Sequence, residues 1–138
     1  MRARFTTLLV AAAAAVVAGC GGPPVPDDAT SRAQITRAVL AWHRYQADAN
    51  GKAGCALLTK RARYAQGGDD CARSIERYSS LAAPVRQALR DTKVDKVTIT
   101  GDKATVVTHT TATEAGVTRK TPPATIPLRW ERGRWRVD

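Results

Sequence analysis

The sequence predicts an α+β fold in which N-terminal helices pack on a curved antiparallel sheet. Apolar residues recur at the helical period between Ile35 and Ala49. After Asp91 they alternate with polar residues at a period of two, which is typical of half-buried strands. The chain ends on two alternating segments around Arg132-Gly133, the pattern of a β-hairpin. Helices followed by strands favour one domain with the helices on one face of the sheet.

Residues 1–19 are predicted to be a removable signal peptide that precedes this domain. Arg2 and Arg4 supply a basic start, and residues 8–18 form an unbroken apolar run of 11 residues. A membrane-spanning helix needs about 20 apolar residues, so this run is too short to cross a bilayer. No later segment approaches that length, and we expect no spanning helix.

Cys20 is predicted to begin the mature chain and to carry a lipid. Val17, Ala18 and Gly19 precede it and resemble the bacterial lipobox, where small side chains flank the bond that the peptidase cleaves. Two or three acyl chains would anchor the protein durably to the cell membrane, on its extracytoplasmic face. Cleavage at an ordinary secretory site is the alternative.

Residues 20–30 are predicted to be a flexible tether, and residues 31–138 the folded domain. Residues 21–30 contain three prolines and two glycines and show no periodicity. Fully extended, they would reach about 30 Å.

Cys55 and Cys71 remain as a pair in an oxidising compartment, where disulfides persist. A bridge between them would close a loop of about 17 residues and contribute roughly 3 kcal/mol. Two buried free thiols are the alternative. Two cysteines and two scattered histidines do not form a ligand set, so no metal site and no cofactor are predicted.

The first helix is predicted to begin at Thr30 or Ser31, either of which can cap a helix. It spans about 18 residues and ends at Asn50-Gly51, where glycine supplies a left-handed residue.

Shorter helical segments are predicted to follow. One covers residues 52–58, Thr59 caps a further turn, and Asp69 or Asp70 caps a third helix. A brief helix then begins at Pro84.

The strands are predicted from alternation and turn residues. Residues 97–100 lead into a turn at Gly101-Asp102, and residues 104–113 are rich in Thr and Val. Pro122-Pro123 must lie in a loop, a bulge or an edge.

Several motifs in this order resemble small actinobacterial-type lipoproteins of the nuclear transport factor two-like superfamily, whose domain is a cystatin-like α+β roll. They are the lipobox, GKAGCALLT at residues 51–59, VxxVxIxGDxAxV at residues 94–106 and GRWRVD at residues 133–138. The resemblance implies a cone of three helices over a sheet of about four strands, with a pocket between them. It also implies that homodimers can form through the sheet. The superfamily holds isomerases, dehydratases, cyclases and non-catalytic binding domains, so the fold does not decide the function.

Enzymes of that superfamily use acids and bases in the pocket. The corresponding residue types here are His43, Tyr45, Asp48, Tyr64, Tyr78 and His109. Histidine is the side chain best suited to acid–base chemistry near neutral pH, so His109 is the best single acid–base candidate, but alternation does not decide which face of its strand it occupies. No acid is visibly paired with it. His43 is expected to be half exposed, and Asp48 to form a salt bridge with Arg44.

The charge of the chain indicates anionic partners. Without Arg2 and Arg4 the net charge falls from +10 to +8, which favours anionic lipid or wall polymer, although charge also serves solubility alone. Nucleic acid is not expected for an exported protein. The basic patch predicted to bind an anionic surface consists of Arg129, Arg132, Arg134 and Arg136, with Arg119 and Lys120. The alternative is that these residues form an ordinary solvated face.

The sequence therefore predicts a membrane-anchored, non-enzymatic domain that binds a small apolar ligand or a partner. The first alternative is a pocket enzyme of the isomerase or dehydratase type that uses His109 and a tyrosine. The second is an accessory subunit of an envelope complex. The chain shows no order of residues typical of a Ser-His-Asp triad, no phosphate-binding loop and no dinucleotide fingerprint.

Overall fold

The computed structural model describes residues 22–138. The predicted signal peptide, the lipobox and Cys20 lie outside the described residues. Between residues 22 and 138, no helix has both the length and the apolar character needed to cross a membrane.

Within residues 22–138, five α-helices, most of them short, precede the sheet. The resemblance implied three, but Thr59 and Gly67 interrupt the segment after the first helix, since one caps a new helix and the other takes a left-handed φ of +113°. The helices are α1 Asp28–Ala47, α2 Gly51–Ala56, α3 Lys60–Ala65, α4 Cys71–Glu76 and α5 Ala83–Arg90, with 3-10 turns at Gly68–Asp70 and Arg77–Ser80.

The first helix begins earlier than predicted, because Asp27 rather than Thr30 or Ser31 is its N-cap. The Asp27 carboxylate accepts a hydrogen bond from the Thr30 backbone N–H at 2.9 Å and another from the Thr30 hydroxyl at 2.8 Å. These bonds from Thr30 lower the pKa of Asp27. The predicted tether is correspondingly shorter.

Residues 23–26 lie against the domain, which corrects the prediction of a flexible tether at these positions. The indole N–H of Trp130 donates to the Pro23 carbonyl at 2.8 Å, and the Ser31 hydroxyl donates to the Pro26 carbonyl at 3.1 Å. Val25 packs against the core. We call residues 23–26 the strap.

The sheet is antiparallel and has four strands in the order β1-β2-β5-β6. Between β2 and β5 the chain forms a separate two-stranded hairpin, β3-β4, which we call the arm. The strands are β1 Lys93–Thr100, β2 Lys103–His109, β3 Thr111–Glu114, β4 Val117–Lys120, β5 Ala124–Glu131 and β6 Arg134–Val137.

The strand predicted over residues 104–113 is divided at Thr110. The registers of the β2-β5 and β3-β4 pairs differ by one residue, because Pro122-Pro123 interrupts the opposite side of the hairpin. The predicted terminal hairpin is present, with Leu128 opposite Val137 and Trp130 opposite Trp135.

The core lies between the helices and one face of the sheet. Along β2, Ala104, Val106 and Thr108 are buried on this face, and their neighbours in sequence point to the other. Ile35 and Val39 of α1 are fully buried against it. Burying an aliphatic side chain of this size contributes about 1.5–3 kcal/mol. The arrangement confirms the predicted α+β fold class, with helices on one face of an antiparallel sheet.

The predicted disulfide between Cys55 and Cys71 is present and joins α2 to α4. The two helices lie so close that a Cβ on Gly54 would come within 2.8 Å of the Ile75 Cδ1 atom. A Cβ on Gly51 would collide with the Ala72 carbonyl. The glycines of residues 51–59 therefore serve this close helix approach.

Candidate functional site

An open apolar groove of about 630 Å³ lies between α5 and the arm. Its lining is made of small aliphatic and threonine side chains. No titratable side chain is among these lining residues, which are Ala82, Pro84, Val85, Ala88, Leu89, Thr110, Ala112, Thr113, Ala115 and Thr121.

The groove exists because α5 presents an apolar stripe that the core does not cover. Pro84 lies in the first turn of this helix, where its fixed φ is favourable. None of the helix's residues is fully buried, and 48% of Val85 remains exposed. The arm supplies the opposite wall.

Two threonines hold the arm at the end of the sheet. The Thr121 hydroxyl accepts a hydrogen bond from the Thr110 backbone N–H at 2.9 Å and lies 3.0 Å from the Thr110 carbonyl, to which it donates. The Thr121 backbone N–H donates to the same carbonyl at 2.8 Å. These bonds join the two sides of the hairpin at the point where Pro122-Pro123 interrupts the backbone hydrogen bonds between its strands.

His109 does not reach the groove, because it occupies the face of β2 opposite the helices. Its Nδ1 atom lies 2.8 Å from a carboxylate oxygen of Asp95, and Lys120 Nζ lies 3.9 Å from the other. The prediction that no acid pairs with His109 is therefore wrong. The register of β1 shifts between Val94 and Lys96, so Asp95 does not follow the alternation of inward and outward side chains on which the strand prediction was based.

His43 is buried more deeply than expected on α1. Neither ring nitrogen has a hydrogen-bond partner among the described residues. Burial lowers its pKa because the charged imidazolium would lose its hydration.

The remaining acid–base candidates are scattered. Tyr64 is 82% exposed. The Tyr78 hydroxyl accepts a hydrogen bond from Gln46 at 3.3 Å, and Tyr45 is half-buried on α1. Asp48 pairs with Arg90 of α5 at 2.7 Å, not with Arg44 as predicted, because Asp48 lies at the end of α1, where α5 crosses it.

The four arginines predicted as one patch have different roles. Arg129 and Arg136 are opposite each other on the outer face of β5 and β6, but the Arg136 side chain is only 13% exposed. It donates hydrogen bonds to the carbonyls of Ala56 and Leu58. Burial, together with the charge of Arg134, lowers the pKa of Arg136.

Arg136 therefore joins the sheet edge to α2, whereas Arg132 and Arg134 are exposed at the β5–β6 turn. Arg119 and Lys120 lie on β4 in the arm and do not belong to this surface. No group of three or more His, Cys, Asp or Glu residues suited to a metal ion occurs within residues 22–138.

The fold resembles that of an NTF2-like protein with a cystatin-like fold from Novosphingobium aromaticivorans, with a TM-score of 0.49 and 14% identity. The likeness covers 79% of this chain and 78% of that one. No protein-family model matches the chain, and no curated protein matches it.

Proposed function

We propose that this protein is a lipid-anchored extracytoplasmic binding domain whose groove between α5 and the arm takes an apolar ligand. The observation that carries the proposal is the lining of the groove, which combines aliphatic side chains with threonine hydroxyls and lacks acids and bases among its lining residues. Such a surface can remove the apolar area of a ligand from water.

The size of the groove agrees with a small ligand. Binding sites for small molecules usually enclose about 300–1,000 Å³ and are mainly apolar with a few placed polar groups. The polar residues of this lining are Thr110, Thr113 and Thr121. A ligand with an aliphatic or ring body and one or two neutral polar atoms fits this chemistry best.

The anchor in this proposal comes from the lipobox, and the strap is compatible with it. In the full chain, Cys20→Ala should abolish incorporation of labelled fatty acid, and the intact mass of the wild-type mature protein should include acyl chains. A wild-type mature protein that begins elsewhere or carries no lipid would contradict the anchor.

The groove is tested by filling it. In a domain of residues 22–138, Ala88→Trp places an indole in the lining and should weaken binding of the neutral apolar probe N-phenyl-1-naphthylamine. We expect a loss of about tenfold, which corresponds to about 1.4 kcal/mol. Fluorescence titration measures the dissociation constant.

The matched control is Ala33→Trp, which adds the same side chain at an exposed position of α1 outside the groove. It should bind the probe as the wild type does. Equal affinities of the two variants, with both folded by circular dichroism, would reject the groove as the binding site.

A further inference from the structure

We propose that the surface around the β5–β6 turn docks on the anionic phospholipid headgroups of the membrane that holds the anchor, and that the strap sets this orientation. The inference rests on the lipid anchor proposed above. The docking surface, which we call the basic edge, consists of Lys60, Arg61, Arg63, Arg129, Arg132 and Arg134.

The strap places the start of the domain directly beside this turn. Pro23 accepts the hydrogen bond from the Trp130 indole at 2.8 Å. Gly133, with a φ of +78°, makes the close approach feasible, since a Cβ there would lie 3.2 Å from the Pro23 Cγ atom. The turn and the strap thus contact each other.

The distance between the lipid and the turn is short. Only Gly21 and Gly22 separate Cys20 from Pro23, so the lipidated residue is at most about 11 Å along the chain from the docked strap. This is close to the Debye length of about 8–10 Å at physiological salt. Charges near the turn are therefore near enough to the headgroups to be attracted by them.

The charges near the turn are mainly basic. One cleft is lined by Lys60, Arg63, Arg132 and Arg136 with a single acid, Glu131. The adjoining cleft contains Lys60, Arg61 and Arg129 with Glu131 and Asp138.

Both acids are already engaged by arginines of the domain. Asp138 lies 2.8 Å from Arg61 and 3.8 Å from Arg129, and Glu131 lies 3.6 Å from the Arg136 guanidinium. Arg132 and Arg134 are exposed and form no salt bridge within the described chain. These two arginines are therefore the principal ligands for headgroup phosphates, and each cation near an anionic surface strengthens attachment about fivefold.

The orientation is tested with the full lipidated chain in vesicles, after intact mass has established the lipid. One set of vesicles contains phosphatidylglycerol with phosphatidylcholine, and the other contains phosphatidylcholine alone. A donor dye is placed on Thr100→Cys or on Ser79→Cys. Thr100 lies beside the β1–β2 turn, and this turn is close to the basic edge because its Asp102 carbonyl accepts a hydrogen bond from the Trp130 backbone N–H. Ser79 follows Tyr78, whose hydroxyl bonds to Gln46 at the C-terminal end of α1. The strap lies at the N-terminal end of this 20-residue helix, which is about 30 Å long.

We expect stronger energy transfer to a headgroup acceptor from position 100 than from position 79 in the anionic vesicles. The difference should shrink in phosphatidylcholine and at high salt. Arg132→Gln combined with Arg134→Gln should shift the ratio of docked to undocked protein by roughly 25-fold. Arg37→Gln with Arg44→Gln removes the same charge from the exposed face of α1 and should leave the transfer unchanged.

Trp130→Phe tests the strap separately, because it keeps an aromatic ring and removes the N–H that binds Pro23. It should reduce the difference between positions 100 and 79 even in anionic vesicles. Equal transfer from the two positions in lipidated wild-type protein would overturn the orientation while leaving the anchor intact.

Two other results would also overturn it. If Arg132→Gln with Arg134→Gln has the same effect as Arg37→Gln with Arg44→Gln, the net charge of the protein acts without a defined docking surface. If soluble polyphosphate binds the protein and the protein shows no preference between the two sets of vesicles, the basic edge binds a phosphate polymer instead of lipid headgroups. An unlipidated mature chain would reject the anchor itself, and is distinguished by the mass measurement.

Discussion

The two ends of the sheet are built in different ways. At the β5–β6 turn, residues 57–59 pair with β6, the strap is bound by Trp130, and Asp138 accepts bonds from Thr59 and Arg61. At the other end, α5 has no fully buried residue and the arm forms a sheet of only two strands. One end is braced by neighbouring elements, whereas the other leaves apolar surface open.

The electrostatics of the braced end agree with its packing. Burial works to raise the pKa of Asp138, but the hydrogen bonds from Thr59 and Arg61 outweigh it and keep the pKa below its ordinary value. The carboxylate thus stays charged between α3 and the end of the sheet. At the braced end, polar bonds thus join the sheet to α3 and to the strap. At the open end, bonds between Thr110 and Thr121 hold the arm, and the apolar side of α5 stays uncovered.

The largest expected effect comes from removing the disulfide near the braced end. Cys55→Ser with Cys71→Ser should lower the free energy of unfolding by about 3 kcal/mol, because the bridge closes a loop across a sequence separation of 16. Denaturant unfolding measures the loss, and reduced wild-type protein is the control. Hydrogen exchange should accelerate in α2 and α4 before α5. Earlier exchange in α5 would show that the disulfide does not brace this end.

A smaller effect is expected at the open end when the arm is loosened. Thr121→Val keeps the shape of the side chain but removes its hydrogen bonds to the Thr110 N–H and carbonyl, so stability should fall by about 1–2 kcal/mol. Binding of N-phenyl-1-naphthylamine should weaken with it.

The matched control on the same arm is Thr118→Val, whose hydroxyl bonds to the exposed Thr113 hydroxyl. It should cost less than about 0.5 kcal/mol. If the two substitutions have the same effect, Thr121 does not hold the arm.

The smallest effect concerns His43, on the helix that contacts both α5 and β6. Burial lowers its pKa from the ordinary value of about 6.5. The unfolded chain therefore binds this proton more readily than the folded one. Stability is fully present above about pH 6.5 and declines as the pH falls toward the folded-state pKa.

His43→Leu should flatten this decline, because the leucine side chain binds no proton. Urea unfolding of the wild type and the variant at pH 7.5 and pH 5.5 measures it. An unchanged slope in the variant would show that the pH dependence of stability arises from other groups.

Local patterns were sufficient to predict several of these elements. The alternation around Arg132-Gly133 predicted the terminal hairpin, and the pairing of Cys55 with Cys71 was predicted from the number of cysteines and from the expected compartment. Helix positions were also close, although Asp27 and Thr30 are both good caps. The strap contacts could not be predicted in this way, because Pro23 accepts its hydrogen bond from Trp130, 107 positions away.

The groove and the His109 environment could not be predicted for a related reason. The groove is assembled from α5 and an arm that begins more than twenty residues later, and no local period reports that contact. Asp95 meets His109 because a bulge changes the direction of its side chain, which alternation cannot reveal. Likewise, Asp48 forms its salt bridge with Arg90, 42 positions away, and not with a neighbour on its own helix.

The bond between Pro23 and Trp130 also has a consequence for the order of events during biosynthesis. The two residues are 107 positions apart, so closing this contact carries the entropy cost of a very long loop. A chain that emerges from its N-terminus first must expose Pro23 long before Trp130 is available. The strap can therefore attach only after the last hairpin has folded, and under the lipid anchor proposed above this order leaves time for Cys20 to be modified first.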